Sequence, residues 1–282
     1  MMTRFVPRKI KDWIKDRVSP LPIDLMKYFP YQAGSYTWFI PKTPAPADLC
    51  SQGLPIPPRS FFINYKTKEN YLEWGQKDVS RMLDILNVSG RALKAGDRVL
   101  DFGCSGGRMI RWLRDYSATC EIWGTDISAE HIIWCRQHLT PHFNFLTSTT
   151  LPHLPFEDRY FDLIYSGSVF THIEDLADVW LLEMRRILKP GGRLYVTIHD
   201  GSTIRILERE RDHALSQALL ADEKYREYVK SDYGMFTIWR GPNSQVFYDL
   251  DYFCRMVSPV FTVVSATPEA YGYQTAVILE KK

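Results

Sequence analysis

The sequence predicts an α/β protein in which helices cover both faces of a doubly wound, mostly parallel sheet. From residue 97 onward, short apolar runs that are too brief for helices alternate with segments of helical periodicity. Successive strand, helix and strand units of this kind form parallel sheets with right-handed crossovers. The chain has 282 residues, of which 45% are hydrophobic and 24% charged, as in an ordinary globular protein. Ligands bind beyond the carboxyl ends of the strands in such sheets, so the residues that follow each strand are the candidates for a site.

Residues 1–60 differ from the rest of the chain. Basic and apolar residues are interleaved over residues 1–18, as in an amphipathic helix. Such a helix either packs on its own domain or contacts a partner or an anionic membrane, which would make the protein membrane-peripheral. Residues 19–60 are dense in proline, which predicts an irregular arm, and the aromatic residues of this arm predict that it wraps a domain. We therefore expect a boundary after residue 60 and one domain over residues 61–282.

The predicted elements of this domain follow in order. A helical period runs over residues 64–88 and ends near Gly90. Buried strands are predicted at residues 98–102, 121–124, 161–165 and 194–198, with helices between them at residues 109–113, 130–139 and 176–188. After these elements we predict an insertion over residues 201–246 that is helical at 204–229, then a helix at 246–257 and closing strands at 261–264 and 274–279.

The charge balance and the cysteine pattern exclude several classes of function. Lysine and arginine number 35 against 33 for aspartate and glutamate, a net charge of +2, so we expect no nucleic-acid partner. Five cysteines without a C-x-x-C pair predict neither a metal site nor a disulfide framework. No apolar run approaches the roughly 18 residues of a membrane span, and the N-terminus lacks the features of a signal peptide. We therefore expect a cytoplasmic protein.

A glycine-rich turn follows the first strand of the alternating pattern. Residues 103–107 are Gly-Cys-Ser-Gly-Gly. Glycines let a ligand approach the backbone, and the start of a helix offers unpaired N–H groups. A dinucleotide fingerprint would require glycine at positions 105 and 108, where this chain has Ser105 and Arg108, and this weakens the interpretation as a nicotinamide oxidoreductase. We interpret Arg108 as a solvated residue.

Two acidic residues end neighbouring segments of the pattern. Asp101 lies at the end of the strand before the glycine turn, and Asp126 ends the next strand. A carboxylate at the second position can accept hydrogen bonds from both hydroxyls of a ribose. The pair therefore predicts one nucleoside-like ligand that contacts both strand ends.

Together with two later segments, these residues resemble the class I S-adenosylmethionine-dependent methyltransferases. The resemblance covers residues 97–200 and includes residues 154–165 and 186–194, which are similar to the family's fourth-strand and fifth-strand signatures. It implies a Rossmann-like sheet of seven strands and S-adenosyl-L-methionine as the cofactor. The implied cofactor-binding residues are Asp101, Gly103, Cys104, Ser105, Gly107, Asp126, Ile127, Thr150, Leu151 and Ser166.

The resemblance also implies roles within this set. Asp101 lies near the amino-acid end of the cofactor, Asp126 on the ribose and Ile127 on the adenine. Thr150 stands where family members often carry an acid that accepts from the adenine amino group, and a hydroxyl there brings no charge. Ser105 replaces the second glycine of the turn, so we expect either a negative φ or backbone strain at this position.

A finer resemblance lies in residues 134–136 and 166–173, which are similar to a bacterial branch found with glycan and secondary-product pathways. It implies methyl transfer to a small-molecule or carbohydrate-containing acceptor, at oxygen or nitrogen. A hydroxyl acceptor needs a base, and one of His172 and His199, which follow strand ends, is the expected base. Residues 166–169 lack the Asn-Pro-Pro-Tyr-like motif that holds a flipped nucleobase. The alternative function is a catalytically silent, cofactor-binding regulatory subunit.

Overall fold

The computed structural model describes residues 23–28, 36–41, 48–228, 234–239 and 243–282. The chain divides into two compact units, Met1–Asp48 and Leu49–Lys282. In the first unit, the described residues form an antiparallel pair of strands, β1 (Ile23–Tyr28) and β2 (Tyr36–Pro41). The prediction of an irregular arm misses this pair, whose sequence is rich in residues that favour strands. The basic helix predicted over residues 1–18 lies outside the described residues.

The division falls after Asp48 rather than after residue 60, because the next residues belong to the core of the second unit. Leu54, Ile56, Phe61 and Phe62 are all buried in one hydrophobic cluster with the sheet. This apolar burial fixes the segment despite its prolines.

The second unit is built on a seven-stranded sheet in the order β10-β11-β7-β6-β3-β4-β5. Five strands, β3 to β7, are parallel, while β11 runs antiparallel to both β7 and β10. The sheet confirms the predicted fold class. Its strands are β3 (Arg98–Phe102), β4 (Glu121–Asp126), β5 (Asn144–Thr147), β6 (Phe161–Ser166), β7 (Leu188–Ile198), β10 (Phe261–Tyr271) and β11 (Gln274–Lys281).

Helices pack on both faces of this sheet, as predicted. Alternate residues of a strand point to opposite faces, so Val99 and Leu100 of β3 belong to different hydrophobic clusters. The Val99 cluster contains residues of α1 (Lys68–Val88) and α2 (Ala129–His138). The Leu100 cluster contains residues of α3 (Ala177–Ile187) and α7 (Leu250–Val257).

The predicted helix over residues 109–113 is a short 3₁₀ helix, Ile110–Leu113, instead of an α-helix. The Gly106 and Gly107 carbonyls at the end of the glycine turn accept hydrogen bonds from side chains instead of from a following helical turn. The Arg111 guanidinium donates to the carbonyls of Gly107 at 2.8 Å, Gly106 at 3.2 Å and Pro55 at 2.9 Å. Arg111 is fully buried and holds the turn against the N-terminal part of the domain.

The insertion over residues 201–246 contains more than helices. Its elements are α4 (Gly201–Arg209), α5 (Ala214–Ala221), α6 (Glu223–Tyr228), β8 (Met235–Ile238) and β9 (Gln245–Tyr248). The prediction of a helix from residue 246 is wrong at its start. The helix begins only at Leu250, because the Asp249 side chain accepts from the Tyr252 N–H at 2.7 Å and caps it.

The hairpin of β8 and β9 is bonded to the carboxyl edge of the sheet. The Val246 N–H donates to the Thr171 carbonyl and the Tyr248 N–H donates to the His199 carbonyl, both at 2.8 Å. The insertion therefore lies against the loops that follow β6 and β7. Among the residues that the structure describes, no helix is long and apolar enough to cross a membrane.

Candidate functional site

The two acidic residues lie on neighbouring parallel strands, as the sequence predicted. Asp101 in β3 is paired with Gly124 in β4, and Asp126 is the last residue of β4. Strand β6, which ends at Ser166, lies on the other side of β3. The carboxyl ends of three adjacent strands thus form one edge, at the position where doubly wound sheets bind ligands.

Asp101 is buried at this edge and only partly bonded. Its exposure is 2%, and its Oδ2 atom has no hydrogen-bonding partner among the described residues. Burial raises the pKa of Asp101 to about 7, although Tyr165 and Arg108 nearby act in the opposite direction. A ligand that brings a positive charge or an N–H donor would satisfy the unbonded oxygen of this buried carboxyl group.

The glycine turn packs closely on its surroundings. Gly103 has φ of +87°, and a Cβ atom placed on it would lie 2.2 Å from the Cγ2 atom of Val169. Gly107 has φ of +77°, and its Cβ atom would lie 2.7 Å from the Cδ1 atom of Leu139. Both positions require glycine for conformation and for space. The turn therefore has little freedom to move.

Asp126 joins this turn to the start of α2. Its Oδ2 atom accepts from the Ser105 N–H and its Oδ1 atom accepts from the Ser128 N–H, both at 2.8 Å. Each carboxylate oxygen can accept a further hydrogen bond, and the side chain is only half-buried. Asp126 is thus held in place with acceptor capacity left for a ligand.

Apolar side chains are exposed beside Asp126. Ile127 is 62% exposed and Leu151 is 40% exposed, and Thr150 is exposed as well. The loop that carries the last two is fixed by the Ser148 N–H, which donates to the Asp126 carbonyl at 2.9 Å. These residues form a surface on which a flat ring could pack.

Two predicted site residues have buried side chains. Cys104 is 3% exposed and Ser166 is fully buried. Burial raises the pKa of the Cys104 thiol well above its usual value, so this side chain is neutral. The Cys104 side chain packs in the core, and its N–H donates to the Thr125 carbonyl at 2.9 Å.

Arg108 is buried, so its interpretation as a solvated residue is wrong. Its guanidinium forms a 2.7 Å ion pair with Asp78 of α1, donates to the Tyr271 hydroxyl and lies 5.1 Å from the centre of the Tyr65 ring. No local pattern could show this partner, because Asp78 is separated from Arg108 by 30 residues of sequence. The network braces the end of the glycine turn against α1 and β10.

The side chain of Gln245, which no sequence motif indicated, lies between the two candidate bases. The Gln245 amide lies 3.2 Å from His172 Nδ1 through its nitrogen and 3.1 Å from His199 Nε2 through its oxygen. His172 Nδ1 is also 2.8 Å from the Ser244 carbonyl oxygen. Because a carbonyl can only accept, Nδ1 carries the hydrogen and the lone pair of neutral His172 lies on Nε2. The Gln245 amide nitrogen is also a donor, so it neighbours Nδ1 without accepting its hydrogen.

The environments of the two imidazoles differ. His199 is 1% exposed and stacks on Phe247 with ring centres 4.9 Å apart, and burial lowers its pKa to about 3. His172 is exposed, and partial desolvation lowers its pKa from the usual 6.5, an effect that its contact with Ser244 opposes. Both rings are therefore neutral near pH 7, but only His172 is open to solvent.

Comparisons with known proteins match this fold and the segment that carries the candidate site. Residues 100–196 match the family described as methyltransferase domain. The ubiquinone/menaquinone biosynthesis C-methyltransferase of Chromobacterium violaceum is 36% identical over 116 residues, 39% of this chain and 46% of the relative. The methyltransferase GfsG of Streptomyces halstedii is 32% identical over 130 residues, 44% of each chain. The chain spans about half the length of the curated relatives that it matches.

Solved structures share this fold over most of the chain at low identity. A protein of Pyrococcus horikoshii OT3 aligns with a TM-score of 0.56 and 19% identity. The alignment covers 80% of this chain and 100% of that protein. The magnesium protoporphyrin IX methyltransferase of Synechocystis PCC 6803, solved with bound S-adenosylhomocysteine, has a TM-score of 0.52 and 14% identity, covering 78% and 89% of the two chains.

The fold and the matched segment define a Rossmann-like methyltransferase domain. Residues 100–196 are thus a methyltransferase domain, and the chain shares its fold with a methyltransferase that was solved with bound S-adenosylhomocysteine.

Proposed function

We propose that this chain is an enzyme that transfers a methyl group from S-adenosylmethionine to a small-molecule or carbohydrate-containing acceptor, at oxygen or nitrogen. The observation that carries the proposal is the pair of strand-end carboxylates, Asp101 and Asp126, on either side of a closely packed glycine turn. Asp101 is buried and its Oδ2 atom has no partner within the described part of the chain, whereas Asp126 is fixed by two backbone N–H groups. These are the groups that an amino acid joined to a nucleoside requires.

The residues present fit the cofactor along its length. The ammonium group of the cofactor would donate a hydrogen bond to Asp101 Oδ2 and would place a positive charge beside this buried carboxyl group. Asp126 would accept from the ribose hydroxyls with the capacity left on its two oxygens. Ile127 and Leu151 would cover the adenine ring, and the Thr150 hydroxyl would lie at its edge.

The bound cofactor supplies an electrophilic methyl group, so the protein has to align the acceptor and keep water away. For a hydroxyl acceptor, we propose that His172 takes the proton on Nε2, since its Nδ1 hydrogen is held by the Ser244 carbonyl. His199 is buried behind Gln245 and its low pKa makes it a weak base, so it serves as a packing partner. An amine that binds neutral would need no base.

The insertion supplies the acceptor side in this proposal. Its hairpin is bonded to Thr171 and His199, next to the proposed base. Trp239, at the end of β8, is 49% exposed and can stack on a sugar or ring face. The quinone relative is named for methylation at carbon, and a carbon acceptor is therefore the competing outcome.

The test is turnover with labelled cofactor. The full chain is incubated with methyl-labelled S-adenosylmethionine and a panel of hydroxyl, amine and carbon acceptors, with S-adenosylhomocysteine formation as the readout. The proposal expects acceptor-dependent release of S-adenosylhomocysteine and label on oxygen or nitrogen. Label on carbon would show that the acceptor atom is carbon and would overturn the assignment to oxygen or nitrogen. Cofactor binding without turnover on any acceptor would favour the regulatory subunit, and binding of a nicotinamide dinucleotide alone would favour the oxidoreductase.

A further inference from the structure

Ser105 adopts a backbone conformation that normally requires glycine. Its φ is +49°, in the left-handed region where a Cβ atom is unfavourable. The flanking residues of the turn, Gly103 and Gly107, also have positive φ but lack a Cβ atom. A serine at this position therefore needs other contacts to hold the conformation.

Four side chains bond to Ser105 and hold it. Its N–H donates to Asp126 Oδ2 at 2.8 Å, and its carbonyl accepts from the thiols of Cys104 at 3.6 Å and Cys135 at 3.5 Å. Its hydroxyl is 3.1 Å from Nδ1 of His131. Every polar group of Ser105 thus has a partner, and the hydroxyl contact exists only because the residue is a serine.

His131 is itself fixed in the first turn of α2. Its N–H donates to the N-capping Ser128 hydroxyl at 3.4 Å, and its ring centre lies 4.2 Å from that of Phe61. The ring is half-buried and close to Asp126, which also binds Ser105 and Ser128. Ser105, His131 and Asp126 therefore form a connected group, and the sequence analysis identified only the first and the last.

We propose that His131 is a positioning residue for the cofactor site. It bonds the Ser105 hydroxyl and so holds the turn in the left-handed conformation that directs the Ser105 N–H to Asp126. The inference rests on the proposed function, because Asp126 is the residue assigned to the ribose. On this account serine at position 105 does not impair the site, since His131 on the next helix compensates for the missing glycine.

The experiment is a double-mutant cycle on affinity for S-adenosylhomocysteine, measured by calorimetry on the full chain. His131→Phe keeps a ring beside Phe61 but removes the nitrogen. Ser105→Gly removes the hydroxyl and also the Cβ atom, whose strain at positive φ is what the hydroxyl contact offsets. We expect His131→Phe to weaken binding by about three- to tenfold, as for one lost hydrogen bond. In the Ser105→Gly background, where glycine adopts the left-handed conformation without a side-chain partner, adding His131→Phe should change affinity by less than twofold.

Two further variants separate positioning from general packing. His131→Asn places an oxygen acceptor near the position of Nδ1 and should recover most of the affinity. His138→Ala, on the same helix but packed on Trp134, is the matched control and should bind as wild type. Equal losses from His131→Phe in the serine and glycine backgrounds, or unchanged binding in the serine background, would overturn the inference. Absence of binding in the wild type would overturn the proposed function and this inference together.

Discussion

At the scale of single residues, one carboxylate connects the main parts of the site. Asp126 bonds the glycine turn through Ser105 and the start of α2 through Ser128. Its main-chain carbonyl also accepts from the loop that contains Thr150 and Leu151. A residue with these contacts holds the parts of the site in place, and we propose that its carboxylate also binds the ribose.

The first prediction concerns this carboxylate. Asp126→Ala should weaken binding of S-adenosylhomocysteine by about 10- to 150-fold, because hydrogen bonds to a charged group contribute about 1.5–3 kcal/mol. Calorimetry gives the dissociation constant, and Asp115→Ala, an exposed acid away from the edge, is the control. A folded Asp126→Ala protein with unchanged affinity would show that ribose binding lies elsewhere.

The second prediction concerns the proposed base. His172→Ala should lower turnover of a hydroxyl acceptor by about 10²- to 10⁴-fold with little change in cofactor affinity. His153→Ala, which removes an exposed imidazole 3.8 Å from Glu183 Oε1, should not change the rate. The wild-type rate should rise with pH through the pKa of His172, which lies below 6.5, and be level above it. Full turnover by His172→Ala would leave alignment alone to explain the reaction.

The sequence identified those residues that follow a recognisable strand and missed those whose partners are distant. Asp101 and Asp126 were predictable because a strand end fixes where a side chain points. Arg108 and Gln245 were not, since their partners Asp78 and His199 lie on remote segments. Tertiary contacts of this kind leave no local periodicity.

At the scale of elements, the glycine turn is fixed by space as well as by conformation. The third prediction compares two glycines with nearly equal φ, Gly103 at +87° and Gly96 at +88°. A Cβ atom on Gly96 has open space, whereas one on Gly103 would strike Val169. Gly96→Ala should therefore lose only the conformational term of about 1–2 kcal/mol in the free energy of unfolding.

Gly103→Ala should lose more, by a further ~1–3 kcal/mol of overpacking, and should lose cofactor affinity as well. Adding Val169→Ala removes the clashing atom and should recover part of both. Urea unfolding and calorimetry measure the two effects. Equal destabilisation by the alanines at 96 and 103 would mean that Val169 yields without loss, and the turn would then be set by conformation alone.

Most elements of the sheet were predictable because buried strands are short and apolar. Strand β5 was missed because its four residues, Asn144–Thr147, form too short a run to show a period. The hairpin of β8 and β9 was missed for a different reason. Its strands pair with each other and with the loops after β6 and β7, so they depend on non-local contacts.

At the scale of the whole molecule, a buried neutral histidine links stability to pH. Burial lowers the pKa of His199 to about 3, against about 6.5 in an unfolded chain. Between these values the unfolded state binds a proton that the folded state does not. The stability that His199 contributes is thus complete above about pH 6.5 and is lost as the pH falls towards 3.

The fourth prediction follows from this difference. The free energy of unfolding should fall by up to ~1.4 kcal/mol per pH unit from this residue below pH 6.5, and His199→Gln should remove that slope. Asp101, whose pKa is raised to about 7, changes the free energy of unfolding with pH in the opposite direction. Its effect is the same in the wild type and in His199→Gln, so it cancels in the comparison. Urea unfolding at several pH values gives both slopes, and parallel slopes would mean that His199 is protonated in the folded state.

The central claim concerns the edge formed by β3 and β4, and a crystal structure of the full chain with S-adenosylhomocysteine tests it most directly. The account predicts the ribose hydroxyls on the Asp126 carboxylate, the ammonium group beside Asp101 and the adenine against Ile127. A ligand bound at any other place, or a ribose that contacts neither oxygen of Asp126, would contradict it.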